Sequence, residues 1–133
     1  MHTDLEPVYR TKLGAMYCAD SLEYMRRMPD ESVDLVLTSP PYALHFKKEY
    51  GNANQADYVA WLLPFAREIK RIIKPTGSFV LNLGGAWQRG APVRSLYHYR
   101  VLLALADDIG FDLAQEFFWF NPAKMPAPAE WVN

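Results

Sequence analysis

An α/β fold with mostly parallel strands is what this sequence predicts, and three observations carry the prediction. Val33, Leu35, Val36 and Leu37 make a nearly all-apolar run that stops abruptly at Ser39-Pro40-Pro41-Tyr42, the pattern of a strand covered on both faces. A long amphipathic helix follows, and a second apolar run at residues 78–83 comes directly after it. The alternation then repeats, with a helical stretch at residues 96–109 and an aromatic-rich stretch at 111–120. Strands that alternate with helices build parallel sheets, because a parallel pair needs a long crossover.

Each element has its own signal. Residues 15–19 read as a short first strand. Asp20 opens Asp-Ser-Leu-Glu, and Glu23 at three residues' distance gives a capping-box spacing for a short helix that runs to Met28 and stops at Pro29. Residues 33–38 form the second strand, ended by prolines that cannot continue a central ladder. Residues 43–54 are a polar loop. A helix is expected over residues 55–73, where Tyr58, Trp61, Leu62, Phe65, Ile69, Ile72 and Ile73 share one face, with Pro64 kinking or splitting it. Lys74-Pro75-Thr76-Gly77 closes that helix, residues 78–83 form the third strand, and Gly84-Gly85 ends it. A helix at 96–109 is stopped by Gly110, residues 111–120 form the last strand, and a proline-rich irregular tail follows.

Bulk properties narrow the classes. The 133 residues suffice for one domain with a modest core, and 50% hydrophobic with 22% charged residues is ordinary for a soluble globular protein. No apolar run reaches the ~18 residues that a membrane span needs. The first residues lack a basic segment followed by an apolar one, so no secretory leader is expected. Cys18 is the single cysteine, which excludes an internal disulfide or a multi-cysteine zinc site and fits a reducing cytoplasm. His2, His45 and His98 show no metal-ligand spacing, so no metal is expected. The net charge of -1 does not announce a nucleic-acid binder, so any such reading must rest on local features.

The most informative local feature is Asp34-Leu-Val-Leu-Thr-Ser-Pro-Pro-Tyr42. Ligands of parallel α/β sheets sit beyond the carboxyl ends of the strands, and this motif lies at one such end. A nucleobase amino group is a poor nucleophile because its lone pair is delocalised into the ring. Two acceptors holding its two hydrogens favour a tetrahedral nitrogen with an available lone pair. The Ser39 hydroxyl and the Pro40 carbonyl can supply both, Pro40 and Pro41 stiffen the turn, and Tyr42 offers an aromatic face for a base that has left the duplex.

On those residues the sequence resembles the amino-methylating DNA methyltransferases, whose catalytic motif is Asp/Asn/Ser-Pro-Pro-Tyr/Phe/Trp. The serine form is typical of members acting on cytosine N(4), and Asp-Pro-Pro-Tyr of members acting on adenine N(6). Tyr17-Cys18-Ala19-Asp20-Ser21-Leu22 resembles the strand and acidic residue that approach the adenine of S-adenosylmethionine. Lys74 to Gly84 resembles the helix end and strand that follow the motif, and Trp119 to Pro126 a segment beside the base pocket. The order is the family's permuted "beta" arrangement. The resemblance implies a partial, Rossmann-like methyltransferase sheet, with S-adenosylmethionine as cofactor and double-stranded DNA as partner. It places Ser39, Pro40, Pro41 and Tyr42 in catalysis, and Asp20, Thr38 and Ser39 at the cofactor. Tyr42, Lys47, Lys48, Arg89 and Trp119 would face DNA.

One departure matters. The family's glycine-rich cofactor signature, Phe-x-Gly-x-Gly, is absent, and Gly84-Gly85 does not replace it. Residues 1–133 are therefore expected to be the N-terminal catalytic part of an incomplete domain, without the target-recognition region or the cofactor-signature strands. It would be completed by the rest of the same polypeptide or by a complementing chain, and a homodimer is open to it. Other readings stay open. Asp20 can serve as an N-cap alone, and Ser39–Tyr42 can be an ordinary turn or an adaptor ligand. Lys47 and Lys48 can be a solvated surface. The stretch from Trp87 to Arg100, which has Arg89, Arg94, His98 and Arg100 and no acidic residue, can equally flank a helix. An adenine enzyme, an inactive DNA-binding or dimer-forming fragment, and an RNA or protein-glutamine methyltransferase are the competing functions.

Overall fold

The apolar runs that predict a parallel sheet do pair. In the computed structural model, which describes residues 6–43, 53–88, 91–119 and 122, β3 (Val33–Thr38) lies parallel to β4 (Ile73–Leu81), with Leu35 opposite Ser78 and Thr38 opposite Leu81. The crossover between them is α2 (Tyr58–Ile72). Before this unit come β1 (Tyr9–Arg10), β2 (Ala15–Met16) and α1 (Ser21–Met25), and after it α3 (Tyr97–Asp107). The fold is α/β, with one parallel pair among the described residues.

The helices meet the sheet through aliphatic side chains, each stripe headed by a tyrosine. Tyr58, Leu62, Ala66, Ile69 and Ile72 are the buried stripe of α2, and Tyr97, Val101, Ala104 and Leu105 that of α3. Phe79, Leu81 and Leu83 pack against this cluster from the sheet side. Tyr58 and Tyr97 meet at its centre, their rings 4.9 Å apart and edge-on. Trp61 and Phe65, expected in the core, are partly buried and stack along α2.

Four expectations are corrected. Residues 15–19 do not supply a strand to the parallel sheet. Only Ala15–Met16 is a strand, and it pairs antiparallel with Tyr9–Arg10 in a hairpin closed by Thr11 on Gly14. The nearest backbone partner along the chain therefore wins the ladder. Residues 111–119 form no strand, because no neighbour among the described residues offers them a ladder; only Phe111 is anchored, against Phe79 and Lys70. Lys74-Pro75-Thr76-Gly77 does not end the helix by a turn. It is a bulge inside β4, where five steps along β4 answer two along β3. Gly77 is required there, since a Cβ would lie 2.9 Å from the Asp34 carbonyl oxygen and 2.7 Å from the Ile73 side chain. Pro64 does not split α2, which runs unbroken through it.

Other punctuation acts as read. Asp20 caps α1, its Oδ1 accepting from the Glu23 amide at 3.0 Å. Gly110 takes a left-handed φ of 84° after α3 and lets the Phe111 amide return to the Leu105 carbonyl. Arg71, at the end of α2, donates to the carbonyls of Met25 and Met28 and to Asp30 and Glu68, which ties α1 and the segment after it to α2.

One face of the sheet is covered by the helices, and no element among the described residues covers the other. Leu35 and Leu37 on β3 and Val80 on β4 are exposed, as are Phe117, Phe118 and Trp119. No helix among the described residues is long and apolar enough to cross a membrane.

Candidate active site

The carboxyl ends of β3 and β4 lie side by side, because parallel pairing makes them so. The ladder extends one step past β4, with the Asn82 amide donating to the Thr38 carbonyl at 2.9 Å. Beyond that bond the chain turns at Ser39-Pro40-Pro41-Tyr42. The Ser39 hydroxyl is 3.2 Å from the Tyr42 hydroxyl, so each can donate to the other.

Three side chains from the helical side hold this turn and the backbone next to it. Tyr58, in the first turn of α2, donates its hydroxyl to the Pro41 carbonyl at 2.7 Å. Gln55 donates to the carbonyls of Ala43 at 3.3 Å and Trp87 at 3.1 Å, joining the turn to the loop after β4. Tyr97, in the first turn of α3, donates to the Gly84 carbonyl. Both tyrosines are fully buried. Burial pushes the Tyr58 phenol well above its ordinary range. It pushes Tyr97 up to about 12, partly offset by the backbone of Ala43. Both are therefore neutral donors at any physiological pH.

Gly84 forms the floor under Tyr42. A Cβ on Gly84 would lie 2.6 Å and 2.7 Å from two carbons of the Tyr42 ring. The φ of Gly84 is not positive, so the glycine is there for close approach and not for backbone freedom.

A second group of residues follows β4. Trp87 and Arg94 face each other in an antiparallel bridge, with the Arg94 guanidinium 4.5 Å from the Trp87 ring centre. His98 lies beside them, its Nδ1 buried without a hydrogen-bond partner, and burial followed by the Arg94 charge lowers its pKa. His98 is thus held neutral, and the positive charge of this patch comes from arginine.

The structure brings Thr38, Ser39, Pro40, Pro41 and Tyr42 together at one strand end. Asp20 it places at the cap of α1, exposed, with one carboxylate oxygen engaged by the Glu23 amide and the other without a partner among the described residues. Trp119 is 83% exposed and contributes to no packed pocket wall among the described residues. Lys47, Lys48 and Arg89 lie outside the described residues. No group of three or more His, Cys, Asp or Glu side chains suited to a metal is present among the described residues. Sequence reasoning missed Gln55, Tyr58, Tyr97 and Gly84. Their signal was available: a tyrosine in the first turn of each helix that faces the carboxyl ends of the strands.

Comparison with known proteins agrees with this geometry. Residues 33–132 match the DNA methylase family. The type II methyltransferase M.PvuII of Proteus hauseri is 54% identical over 128 residues, which cover 96% of this chain and 38% of that protein. M.SfiI of Streptomyces fimbriatus is 34% identical over 134 residues, covering 85% of this chain and 31% of that protein. The solved PvuII DNA methyltransferase, described as cytosine-N4-specific, superposes with a TM-score of 0.83 at 52% identity, covering 97% of this chain and 46% of that one. The chain thus spans less than half the length of these relatives. A parallel strand pair that ends in Ser-Pro-Pro-Tyr, with a family match over residues 33–132, makes this chain a member of the DNA methylase family.

Proposed function

We propose that this chain is the N-terminal catalytic part of a site-specific DNA methyltransferase that moves a methyl group from S-adenosylmethionine to N(4) of a cytosine flipped out of duplex DNA. The observation that carries the reading is the Ser39–Tyr42 turn at the carboxyl end of β3, with the Ser39 hydroxyl held beside that of Tyr42. The description of the PvuII enzyme as cytosine-N4-specific supports cytosine over adenine.

The hydrogen-bond inventory of the turn suits that task. To accept a hydrogen from the amine, Ser39 must place its own elsewhere, and the Tyr42 oxygen at 3.2 Å is an acceptor for it. The Pro41 carbonyl is already engaged by Tyr58, which leaves the Pro40 carbonyl for the second amine hydrogen. Tyr42, seated on Gly84, offers its ring to the base. S-adenosylmethionine supplies a methyl group already activated on sulfonium sulfur, so the residues act mainly by alignment. Asp20 fits the cofactor's polar groups, because its second carboxylate oxygen can accept from a hydroxyl or amino donor while the first caps α1. Thr38 and Ser39 would line the same strand end.

The DNA surface would include Lys47, Lys48 and Arg89, together with Arg94, which is held on the Trp87 ring, and Trp119. The sheet face at Leu35, Leu37 and Val80, uncovered among the described residues, and the exposed Phe117–Trp119 run support a domain completed by the rest of the polypeptide or by a complementing chain, and suit a second copy as well. A cytoplasmic location accords with DNA as substrate. The test is transfer of radiolabelled methyl from S-adenosylmethionine to duplex DNA by the full-length protein. Ser39→Ala should lose turnover far more than DNA binding, because its hydrogen bond strengthens as the nitrogen becomes tetrahedral. Unchanged turnover in Ser39→Ala contradicts the assignment.

A further inference from the structure

Resting on that reading, we propose that Tyr58 is a positioning residue that aims the Pro40 carbonyl by pinning the far end of the catalytic turn, with Tyr97 as its support. The turn is anchored on both sides. Upstream, the Thr38 carbonyl is fixed by the Asn82 amide at 2.9 Å. Downstream, the Pro41 carbonyl is fixed by Tyr58 at 2.7 Å. Peptide planes are rigid, and the two proline rings lock φ at residues 40 and 41. What remains free between the anchors is φ of Ser39 and ψ of residues 39–41. With both end planes fixed these torsions can change only together, so the direction of the Pro40 carbonyl is set by the distance between the anchors. Removing the downstream anchor releases that direction without touching Ser39, Pro40 or the base.

The Tyr58 hydroxyl is suited to this role. Its ring is fully buried between Trp61 and Tyr97, at 5.2 Å and 4.9 Å, so the donor cannot wander. Tyr97 packs edge-on against it and bonds the Gly84 carbonyl at the exit of β4, so two adjacent tyrosines hold the two adjacent strand exits. Only Tyr58 bonds the turn's own carbonyl. Tyr97 bonds the floor beneath Tyr42 and meets the backbone just past the turn, at Ala43.

The pair gives a matched test. Each of Tyr58→Phe and Tyr97→Phe keeps a buried ring and removes one hydroxyl: that of Tyr58 bonds the Pro41 carbonyl, and that of Tyr97 bonds the Gly84 carbonyl and meets the Ala43 backbone. In the full-length enzyme with saturating DNA and S-adenosylmethionine, Tyr58→Phe should slow the single-turnover rate by about tenfold to a hundredfold, as expected for misplacement of a reacting group by up to an ångström. DNA affinity should stay within about threefold of wild type, since binding energy comes largely from backbone phosphate contacts away from the turn. Tyr97→Phe should lower the melting temperature to a similar degree and slow the reaction much less. Hydrogen exchange at the Tyr42 amide, which shares its peptide plane with the Pro41 carbonyl, should quicken in Tyr58→Phe more than in Tyr97→Phe when read without any substrate. A wild-type rate in Tyr58→Phe, or rate losses in both variants that merely follow their melting temperatures, overturns the positioning role. If the wild-type enzyme methylates no DNA, the methyltransferase reading fails, and the exchange comparison still decides whether Tyr58 pins the turn.

Discussion

Gly84→Ala tests how tightly the site is built, because its neighbour Gly85 provides an internal control. The added methyl on residue 84 would lie 2.6 Å from one Tyr42 ring carbon and 2.7 Å from the next. Carbon atoms rest at about 3.5–4.0 Å, so the ring must retreat by roughly 1 Å. It cannot yield easily, since its hydroxyl bonds Ser39 and the chain on either side is held by Tyr58 and Gln55. Overpacking of this kind costs about 1–3 kcal/mol of stability. A displacement of ~1 Å at the base-stacking surface should slow methyl transfer about a hundredfold. At Gly85 the nearest atom to a new Cβ is the far end of Arg94, at 3.4 Å, which can move aside. Gly85→Ala should stay within about 0.5 kcal/mol of wild type in stability and keep its rate. The assay is a single-turnover methylation rate in the full-length enzyme, beside a urea midpoint for each variant. Equal rates in the two variants would refute the claim that Gly84 seats Tyr42.

Three further outcomes follow from the same geometry. Tyr42→Phe should keep the stacking surface and lose only the acceptor for the Ser39 hydrogen, whereas Tyr42→Ala also forfeits roughly 1–3 kcal/mol of stacking; rapid-quench rates with equal losses in both would move the role wholly to the hydroxyl. Gly110→Ala must adopt a φ of 84° with a side chain, which should cost about 1–2 kcal/mol in a urea titration, and no change would show that the α3 exit readjusts freely. Folding raises the phenol of Tyr97 to about 12 from an ordinary value of 10, so its neutral form contributes stability fully below pH 10 and loses it as pH climbs toward 12. Tyr58 is raised for the same reason and acts in the same direction. The share of tyrosinate absorbance that belongs to these two buried rings should therefore appear together with loss of circular dichroism, and titration of every tyrosine in a still-folded protein would contradict it.

What could be read from the sequence followed the reach of each signal. The β3-α2-β4 unit was legible because its apolar runs and its helical stripe are long, and because a parallel crossover leaves little topological choice. Asp20 with Glu23, and Gly110, were legible as caps because capping is decided within four residues. The conformation of residues 111–119 was not, and the strand expected there is absent, since the aromatic pattern of Phe117–Trp119 reports a preference for burial but not which neighbour will supply it. The Lys74–Gly77 bulge looked like a helix stop because Pro and Gly punctuate both; only the Asp34 carbonyl, at 2.9 Å from the Cβ position of Gly77, tells them apart. Ser39–Tyr42 was visible as a motif, but its clamps were not, because Tyr58 and Tyr97 lie 17 residues from Pro41 and 13 from Gly84.

The central claim is that Ser39 and its turn present an acceptor pair to the amino group of cytosine. Its most direct test is to incubate duplex DNA with the full-length enzyme and S-adenosylmethionine, digest the DNA to nucleosides and identify the modified one by mass spectrometry. The account predicts deoxycytidine methylated at N(4), absent when Ser39→Ala is used. Deoxyadenosine methylated at N(6) as the sole product would contradict the cytosine assignment, and no methylated nucleoside at all would contradict the function.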